Sequence, residues 1–192
     1  MLEPSWCAIK NDEILTAIEI EMTKARDTSP AVKAAAKHEM EGRKAPDFAL
    51  PDSDGSIVSL NELVSRANLV LYFYPKDLTP GCTTEACTFR DTLGRLKALG
   101  TQVVGISADP SESHRKFADK HGLDFPLLSD AANRVTRRYG VYKKKSLYGR
   151  EFMGIERTTF LIDRKGVIRK VFAKVRVDGH VDAVIEALEA IR

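Results

Sequence analysis

Cys82 and Cys87, five residues apart, are the side chains of this sequence best suited to covalent chemistry. A thiol becomes a strong nucleophile once it loses its proton, and a helix N-terminus favours the resulting thiolate. Cys82 follows a turn rich in Pro and Gly and precedes a helical pattern from Cys87 to about Leu99. The sequence therefore predicts a nucleophilic Cys82 at the start of a helix. A buried, inert thiol is the alternative for Cys82 considered by itself.

The spacing of the two cysteines limits how they can react with each other. Five residues of an intact helix give a rise of ~7.5 Å and a Cα separation of ~8.7 Å. A disulfide requires Cα atoms less than about 7 Å apart. Either the two thiols never bond, or the helix unwinds locally during a reaction cycle. The second alternative predicts a helix that depends on the redox state.

The elements that must position these thiols form an alternating pattern. The apolar run from Leu69 to Tyr74 predicts a central strand directly before the cysteine turn. A helix over 111–121 is predicted with Ser111 as its cap and Gly122 as its stop. Residues 158–163 and 167–172 give a hairpin signal. Further strands are predicted at 57–58, 102–107 and 126–129, and further helices at 60–65, 132–139 and 181–191.

This order of elements is typical of an α/β, thioredoxin-like fold, with a central mixed sheet flanked by helices. We expect that domain to span residues 45–192. Residues 1–44 are predicted to form a helical N-terminal extension, with amphipathic helices over 11–22 and 31–40. The extension would cover the domain, pair with another subunit or fray.

The cysteine segment also resembles a known family. Pro75, Thr79 and Cys82 match the Pro-x-x-x-Thr-x-x-Cys motif of peroxiredoxins, and the longer run from Tyr74 to Cys87 is similar to peroxiredoxin Q, also called bacterioferritin comigratory protein. The similarity extends from about residue 45 to the C-terminus and includes a second block over 154–160. It implies the thioredoxin-like fold and a thiol-dependent peroxidase.

The resemblance also implies a role for each matching residue. Cys82 would attack the peroxide, and Thr79 would hydrogen-bond its sulfur or the peroxide. Arg157 would supply a cation, although an arginine considered alone is usually a surface residue. Pro75 would shield the thiolate from water. Glu85 would orient Arg157, or else be a solvated carboxylate that complements the helix dipole.

Cys87 would then resolve the oxidised Cys82 as an intramolecular disulfide, which thioredoxin or a similar reductant would reduce. If Cys87 is inert, a one-cysteine mechanism with an external thiol replaces this step. We expect hydrogen peroxide and organic hydroperoxides as substrates, no cofactor and no metal, and a monomer or homodimer. Gly154 and the loop over 143–153 are expected to line the entrance to the site.

Three other function classes compete with this interpretation. A dithiol oxidoreductase acting on protein disulfides would use Cys-x-x-Cys, which differs from the spacing here. A zinc site needs three or four ligands at suitable spacing, and the four histidines are scattered along the chain. A non-catalytic scaffold would more often have lost Thr79, Cys82 or Arg157, and all three are present.

Composition narrows the partners and the compartment. The formal net charge of +3 over 192 residues does not favour nucleic acid. We interpret one basic cluster as a solvated loop, because no aromatic interleaving accompanies it; its members are Arg137, Arg138, Lys143, Lys144, Lys145 and Arg150. No apolar run predicts a membrane span, and the N-terminus does not resemble a signal peptide. Three cysteines, Cys7 being interpreted as incidental, favour a reducing cytoplasm.

Overall fold

The computed structural model describes residues 37–147 and 149–191. Nine strands and five helices are found there. The strands are β1 (Ala49–Pro51), β2 (Ile57–Ser59), β3 (Asn68–Phe73), β4 (Thr101–Ser107), β5 (Leu127–Ser129), β6 (Tyr142–Leu147), β7 (Arg150–Ile155), β8 (Thr158–Ile162) and β9 (Ile168–Phe172). The helices are α1 (Leu60–Arg66), α2 (Pro80–Ala98), α3 (Ser111–His121), α4 (Arg134–Arg138) and α5 (His180–Ala190).

The central sheet has five strands in the order β5-β4-β3-β8-β9. Strands β3, β4 and β5 are parallel, whereas β8 is antiparallel to both β3 and β9. Strands β3 and β4 are buried almost throughout, as expected for parallel strands covered on both faces. This arrangement confirms the predicted α/β class with a central mixed sheet.

Two apolar cores lie on opposite faces of this sheet because successive side chains of β3 alternate between the faces. Leu69, Leu71 and Phe73 pack into a core that includes α1 and α4 residues. Val70, Tyr72 and Tyr74 pack into the other core with α2 and α5, including Cys82 and Phe89. Burying each large apolar side chain contributes about 1.5–3 kcal/mol. The second core thereby holds the cysteine helix against the sheet.

Helix α2 begins earlier than the sequence pattern indicates. Its first residue is Pro80, with Thr79 as the extended N-cap. Proline is favoured at this position because the first helical N–H groups have no intrahelical partner. The residues of this first turn are Pro, Gly, Cys and Thr, which lack the apolar spacing that indicates a helix.

The C-terminal end of α3 was predicted correctly, and its N-terminal cap was not. Gly122 closes the helix in the left-handed conformation with φ of 59°, as expected for a glycine stop. The predicted cap at Ser111 is wrong, because Ser111 is already helical and Pro110 precedes it as the N-cap. The Pro110 carbonyl accepts hydrogen bonds from the Ser113 and His114 amides at 2.8 and 3.2 Å.

The predicted loop over 143–153 is also wrong, because β6 and β7 form an antiparallel two-stranded sheet there. Lys143, Lys144 and Lys145 lie on β6 and Arg150 lies on β7, so four of the six residues of the basic cluster belong to strands and not to a loop. The run of lysines lacks the apolar alternation that identifies a strand. Strand pairing within the hairpin supplies the backbone hydrogen bonds that the pattern could not show.

Residues at the start of the described chain pack on the domain. The Gly42 amide donates to the Ile168 carbonyl at 2.7 Å, and the Val171 amide donates to Glu41 Oε1 at 2.9 Å. Residues 39–42 form turns, so the predicted second helix of the extension does not reach residue 40. Residues 31–36 of that predicted helix, the predicted helix over 11–22 and Cys7 lie outside the described residues. Within the described part of the chain, no helix is long and apolar enough to cross a membrane.

Candidate active site

Cys82 lies in the first turn of α2, and its side chain is 2% exposed. Leu78 adopts a left-handed φ of 57°, which turns the chain from β3 into the helix. The first hydrogen bond of α2 runs from the Thr83 amide to the Thr79 carbonyl at 2.8 Å. The amides of Gly81 and Cys82 therefore precede the helical ladder and present their N–H groups at the positive end of the helix.

Sheet pairing brings Arg157 to this sulfur. Phe73 of β3 pairs with Thr158 of β8, so Arg157 emerges beside the chain that leads into the cysteine turn. Its Nη2 atom donates to Cys82 Sγ at 3.3 Å. The Val175 amide donates to the Arg157 carbonyl at 3.0 Å and holds its backbone. Arg157 is 15% exposed in its side chain, so it is not the surface arginine that its residue type alone would suggest.

Glu85 accepts a hydrogen bond from the other side of the same guanidinium, with Arg157 Nη1 as donor. Its side chain is 0% exposed, which excludes the alternative of a solvated first-turn carboxylate. Burial raises the pKa of Glu85 from 4.5 to about 7, although the charge of Arg157 opposes the shift. Burial alone would lower the pKa of Arg157, but Glu85 and Cys82 outweigh it and raise that pKa. Arg157 therefore carries its charge throughout the range in which Glu85 titrates.

Replacing Glu85 by glutamine is expected to change how stability depends on pH. The folded protein holds the Glu85 proton up to about pH 7, and the unfolded chain releases it near pH 4.5. Because the folded state binds more protons in that window, stability falls as pH rises through it. The difference between these pKa values corresponds to about 3 kcal/mol at most. Glutamine does not titrate, so urea unfolding should show E85Q gaining stability relative to the parent protein between pH 4.5 and 8.

The matched control for this measurement is E186Q, at an exposed glutamate on α5. Its stability should follow the pH curve of the parent protein. Curves for E85Q and the parent protein that stay parallel from pH 4.5 to 8 would contradict the raised pKa of Glu85.

Thr79 and Pro75 belong to the turn that precedes α2. The Thr79 hydroxyl donates to the Lys76 carbonyl at 3.0 Å, so its oxygen keeps lone pairs that can accept. In the described residues, the hydrogen bond found at Cys82 Sγ comes from Arg157 and not from Thr79. Pro75 is exposed at the start of the turn.

Cys87 is half-buried on α2, and both cysteines are free thiols. Both lie within the continuous helix Pro80–Ala98. Ideal helix geometry places their Cα atoms about 8.7 Å apart, beyond the reach of a disulfide. This structure therefore corresponds to a state in which the two thiols are apart. A disulfide between them requires the first turns of α2 to unwind.

The structure adds neighbours that the sequence did not single out. A Cβ atom at Gly81 would lie 3.4 Å from Arg157 Nη2, which shows that the guanidinium packs directly against the start of α2. Thr159 Oγ1 and His180 Nε2 are 2.8 Å apart in the core next to Arg157. Burial, together with the charge of Arg157, lowers the pKa of His180 to about 4, so His180 is neutral near pH 7.

Lys145 on β6 is a further basic residue near the site, with its side chain partly buried. Its Nζ atom donates to the Ile155 carbonyl at 2.5 Å. Burial lowers the pKa of Lys145, and Glu156 and Cys82 partly oppose that shift. Among the described residues, no group of three or more His, Cys, Asp or Glu side chains could hold a metal ion.

Comparison with known proteins shows the family of this chain. The model of the AhpC/TSA family matches residues 42–171. The putative peroxiredoxin bcp of Coxiella burnetii is 51% identical over 147 residues, which cover 77% of this chain and 97% of that protein. Peroxiredoxin Bcp of Bacillus subtilis is 45% identical over 148 residues, or 77% and 94% of the two chains.

Solved structures give the same result. The bacterioferritin comigratory protein of Xanthomonas campestris superposes with a TM-score of 0.71 at 41% identity, covering 75% of this chain and 91% of that one. Peroxidoxin BcpB of Mycobacterium tuberculosis gives a TM-score of 0.72 at 41% identity, covering 81% and 99%. The predicted thioredoxin-like fold is thereby confirmed. The chain belongs to the AhpC/TSA family, within its peroxiredoxin Q (bacterioferritin comigratory protein) branch, and is a thiol-dependent peroxidase.

Proposed function

We propose that Cys82 is the peroxidatic residue of this enzyme. The observation that carries the proposal is the buried Sγ atom at the start of α2, with Arg157 Nη2 at 3.3 Å. The guanidinium and the free first-turn amides both favour negative charge on sulfur. The same donors face the position where charge develops as a peroxide reacts.

In the first step, the Cys82 thiolate attacks one oxygen of the hydroperoxide. An S–O bond forms as the O–O bond breaks, and sulfur loses two electrons to the peroxide. Cys82 becomes a sulfenic acid, and the leaving hydroxide or alkoxide takes a proton from water to give water or an alcohol. Arg157 stabilises the negative charge that spreads over sulfur and the two oxygens.

The neighbouring residues orient this reaction. Thr79, whose hydroxyl hydrogen is committed to the Lys76 carbonyl, can accept a hydrogen bond from the O–H of the peroxide. Glu85, when ionised, holds one arm of the Arg157 guanidinium and leaves the other arm for Cys82. Pro75 stiffens the turn through its fixed φ. The resemblance to peroxiredoxins supports the proposal that it also shields the thiolate from water.

Cys87 is proposed as the resolving residue. Its sulfur attacks the Cys82 sulfenic acid, and an S–S bond forms as the S–O bond breaks. The hydroxyl group leaves as water with the proton that the Cys87 thiol gives up. This step requires local unwinding of α2, because the helical positions are too far apart. A thioredoxin-type dithiol then reduces the disulfide and restores both thiols.

The setting of the reaction follows from its chemistry. One relative in Xanthomonas campestris was studied for alkyl peroxide reduction, and we propose organic hydroperoxides as substrates beside hydrogen peroxide. Regeneration by a dithiol requires a reducing compartment, so we propose a cytoplasmic location. Assembly as a monomer or homodimer, and an extension over residues 1–44, remain predictions.

Treatment of the protein with one equivalent of peroxide is expected to remove two free thiols per chain without forming dimers. In C87S the same treatment should instead accumulate sulfenic acid, then sulfinic acid, at Cys82, because no second sulfur traps the intermediate. Mass spectrometry after trapping of the sulfenic acid measures both outcomes. Turnover of C87S with thioredoxin should fall at least about tenfold, since the resolved disulfide is its substrate.

The matched control is C7S, which keeps both reacting cysteines and should behave like the parent protein. Unchanged recycling of C87S by thioredoxin would overturn the role of Cys87. It would favour the second candidate, a one-cysteine peroxidase reduced by an external thiol. The observation that favours this candidate is the continuous helix that keeps the two cysteines apart.

A further inference from the structure

The turn that leads into α2 contains one buried carboxylate, Asp77, which is 4% exposed between exposed neighbours. Three side chains reach it. The Tyr74 hydroxyl donates to Oδ1 at 2.7 Å, and the Ser113 hydroxyl donates to Oδ2 at 2.7 Å. His114 Nδ1 lies 2.9 Å from Oδ2. The reaction proposed above uses none of these four side chains.

The hydrogen bond to Asp77 determines which ring nitrogen of His114 carries a proton. A carboxylate can only accept, so the Nδ1 atom that faces Asp77 carries the proton. The ring is completely buried, and its Nε2 atom has no hydrogen-bond partner among the described residues. The Nδ1 atom also lies 3.4 Å from the Tyr74 hydroxyl, so the polar contacts of His114 within that part of the chain all belong to the Asp77 cluster.

The backbone of the turn is fixed by a second carboxylate. The Asp77 amide donates to Asp109 Oδ2 at 2.9 Å, and the Ser107 hydroxyl donates to the same oxygen at 2.8 Å. Asp109 follows β4, and Ser113 and His114 lie on α3. Both the side chain and the backbone of Asp77 thus connect the active-site turn to elements outside α2.

Such a cluster is poorly explained by stability alone. A buried carboxylate has a desolvation penalty of several kcal/mol, which its hydrogen bonds must offset, and apolar side chains often serve stability as well. Burial alone would raise the pKa of Asp77, but the hydrogen bonds from His114, Ser113 and Tyr74 outweigh it and lower that pKa. The charged carboxylate also contributes geometric specificity, because each of its oxygens accepts hydrogen bonds from particular donors and so fixes the position of the turn.

Asp77 lies close in the chain to the start of the cysteine helix, so fixing its position also fixes the residues that follow it. Two residues later, Thr79 is the N-cap of α2, and Leu78 between them has the left-handed φ of 57°. A displaced Asp77 would therefore move the Thr79 hydroxyl and the first amides of the helix. When α2 unwinds for the disulfide, the turn before it needs a fixed point from which the helix can form again.

We propose that Asp77, held by Tyr74, Ser113 and His114, is a positioning residue that keeps the Pro75–Thr79 turn in place for peroxide attack and while the first turns of α2 unwind. The proposal rests on the proposed function of Cys82. It sets the boundary of the unwinding segment between Asp77, which stays bonded, and Cys82, which moves.

The test compares D77N and S113A with S65A as the matched control. S113A removes one 2.7 Å bond to Asp77, and S65A removes one 2.7 Å serine bond, to the Glu62 carbonyl on α1. All variants are made in a C87S background and compared under conditions in which each is folded, as checked by urea unfolding. The rate of single-turnover oxidation of Cys82 by hydrogen peroxide is measured by trapping the sulfenic acid. Misplaced reacting groups lower rates by about 10- to 100-fold, so we expect a loss of that size in D77N and a smaller loss in S113A. S65A should lose stability alone.

Hydrogen exchange gives a second, independent readout in proteins that contain Cys87. In the disulfide form, the Asp77 amide should stay protected while the amides of residues 82–86 exchange faster than in the reduced form. In D77N, the protection at residue 77 should be lost. Exchange at Asp77 as fast as at residues 82–86 in the parent disulfide form would overturn the proposal. The proposal would also be overturned if D77N and S113A are folded and their Cys82 is oxidised at the rate of the parent protein.

The two proposals fail in different ways. If the parent protein reacts no faster with peroxide than free cysteine, or reacts equally fast without Cys82, the proposed function fails. If oxidation is fast and depends on Cys82 but is insensitive to Asp77 and Ser113, only the positioning role fails.

Discussion

Replacing Cys82 by serine is expected to abolish peroxide reduction, with a loss of at least about 10³-fold in kcat/KM. A serine hydroxyl is a weak nucleophile that keeps its proton unless a base removes it. The substitution changes one buried atom, whose hydrogen-bond partner is Arg157, so the fold should be retained. Peroxide consumption with a thioredoxin-coupled assay measures the loss, and circular dichroism checks the fold.

The other two cysteines supply the controls for this result. C7S should keep the full rate of peroxide consumption. C87S should keep the fast first oxidation and lose the recycling step, as set out above. A C82S protein that still consumes peroxide at a substantial rate, together with an inactive C7S or C87S, would transfer the peroxidatic role to another sulfur.

Replacing Arg157 by methionine is expected to lower the rate of Cys82 oxidation by about 10²- to 10³-fold, the usual loss when one aimed donor is removed from a transition state. Methionine removes both the charge at the sulfur and the partner of Glu85. R157K keeps a charge but lacks the planar fork that bridges Cys82 and Glu85, so its rate should fall between those of R157M and the parent protein. Stopped-flow oxidation by hydrogen peroxide measures all three.

Arg169 offers a matched control for the loss of an arginine. It lies half exposed on β9, 3.8 Å from Asp163, and such exposed ion pairs contribute little. R169M should therefore oxidise at the parent rate. Equal rates in R157M and the parent protein, with both proteins folded, would remove Arg157 from the proposed mechanism.

The double substitution R157M/E85Q separates the two roles of this pair. If Glu85 acts by holding Arg157, removing Glu85 from R157M should cause no further loss of rate, because the two losses share one interaction. Losses that multiply would show that Glu85 acts on the reaction independently of Arg157.

Much of the fold followed from patterns within the chain. The apolar run of β3, the hairpin of β8 and β9, and the helix after it could be predicted because local periodicity reflects burial on one or two faces. The hairpin of β6 and β7 was missed, since its strands pair mainly with each other and their lysines do not alternate with apolar residues. The first turn of α2 was missed because Pro80 and Gly81 hide a helix start that only the N-cap geometry reveals.

The active site divides in the same way. Cys82, Thr79 and Cys87 lie within one short segment, so their spacing, and the conflict between an intact helix and a disulfide, could be read directly. Arg157 is 75 residues from Cys82 along the chain, and its contact with the sulfur depends on the antiparallel pairing of β8 with β3. Residue types and spacing did not predict this contact between Arg157 and Cys82; only the family resemblance did.

The sequence by itself determined the candidate nucleophile, its place near the start of a helix and the family to which the chain belongs. These properties depend on residue type and short-range spacing, which every conformation of the chain retains. Only the tertiary structure decided that Glu85 is buried against Arg157 and that Asp77 is bonded to His114, 37 residues away. Burial and long-range hydrogen bonds arise when β8 and α3 pack beside the cysteine turn, and no local pattern encodes that packing.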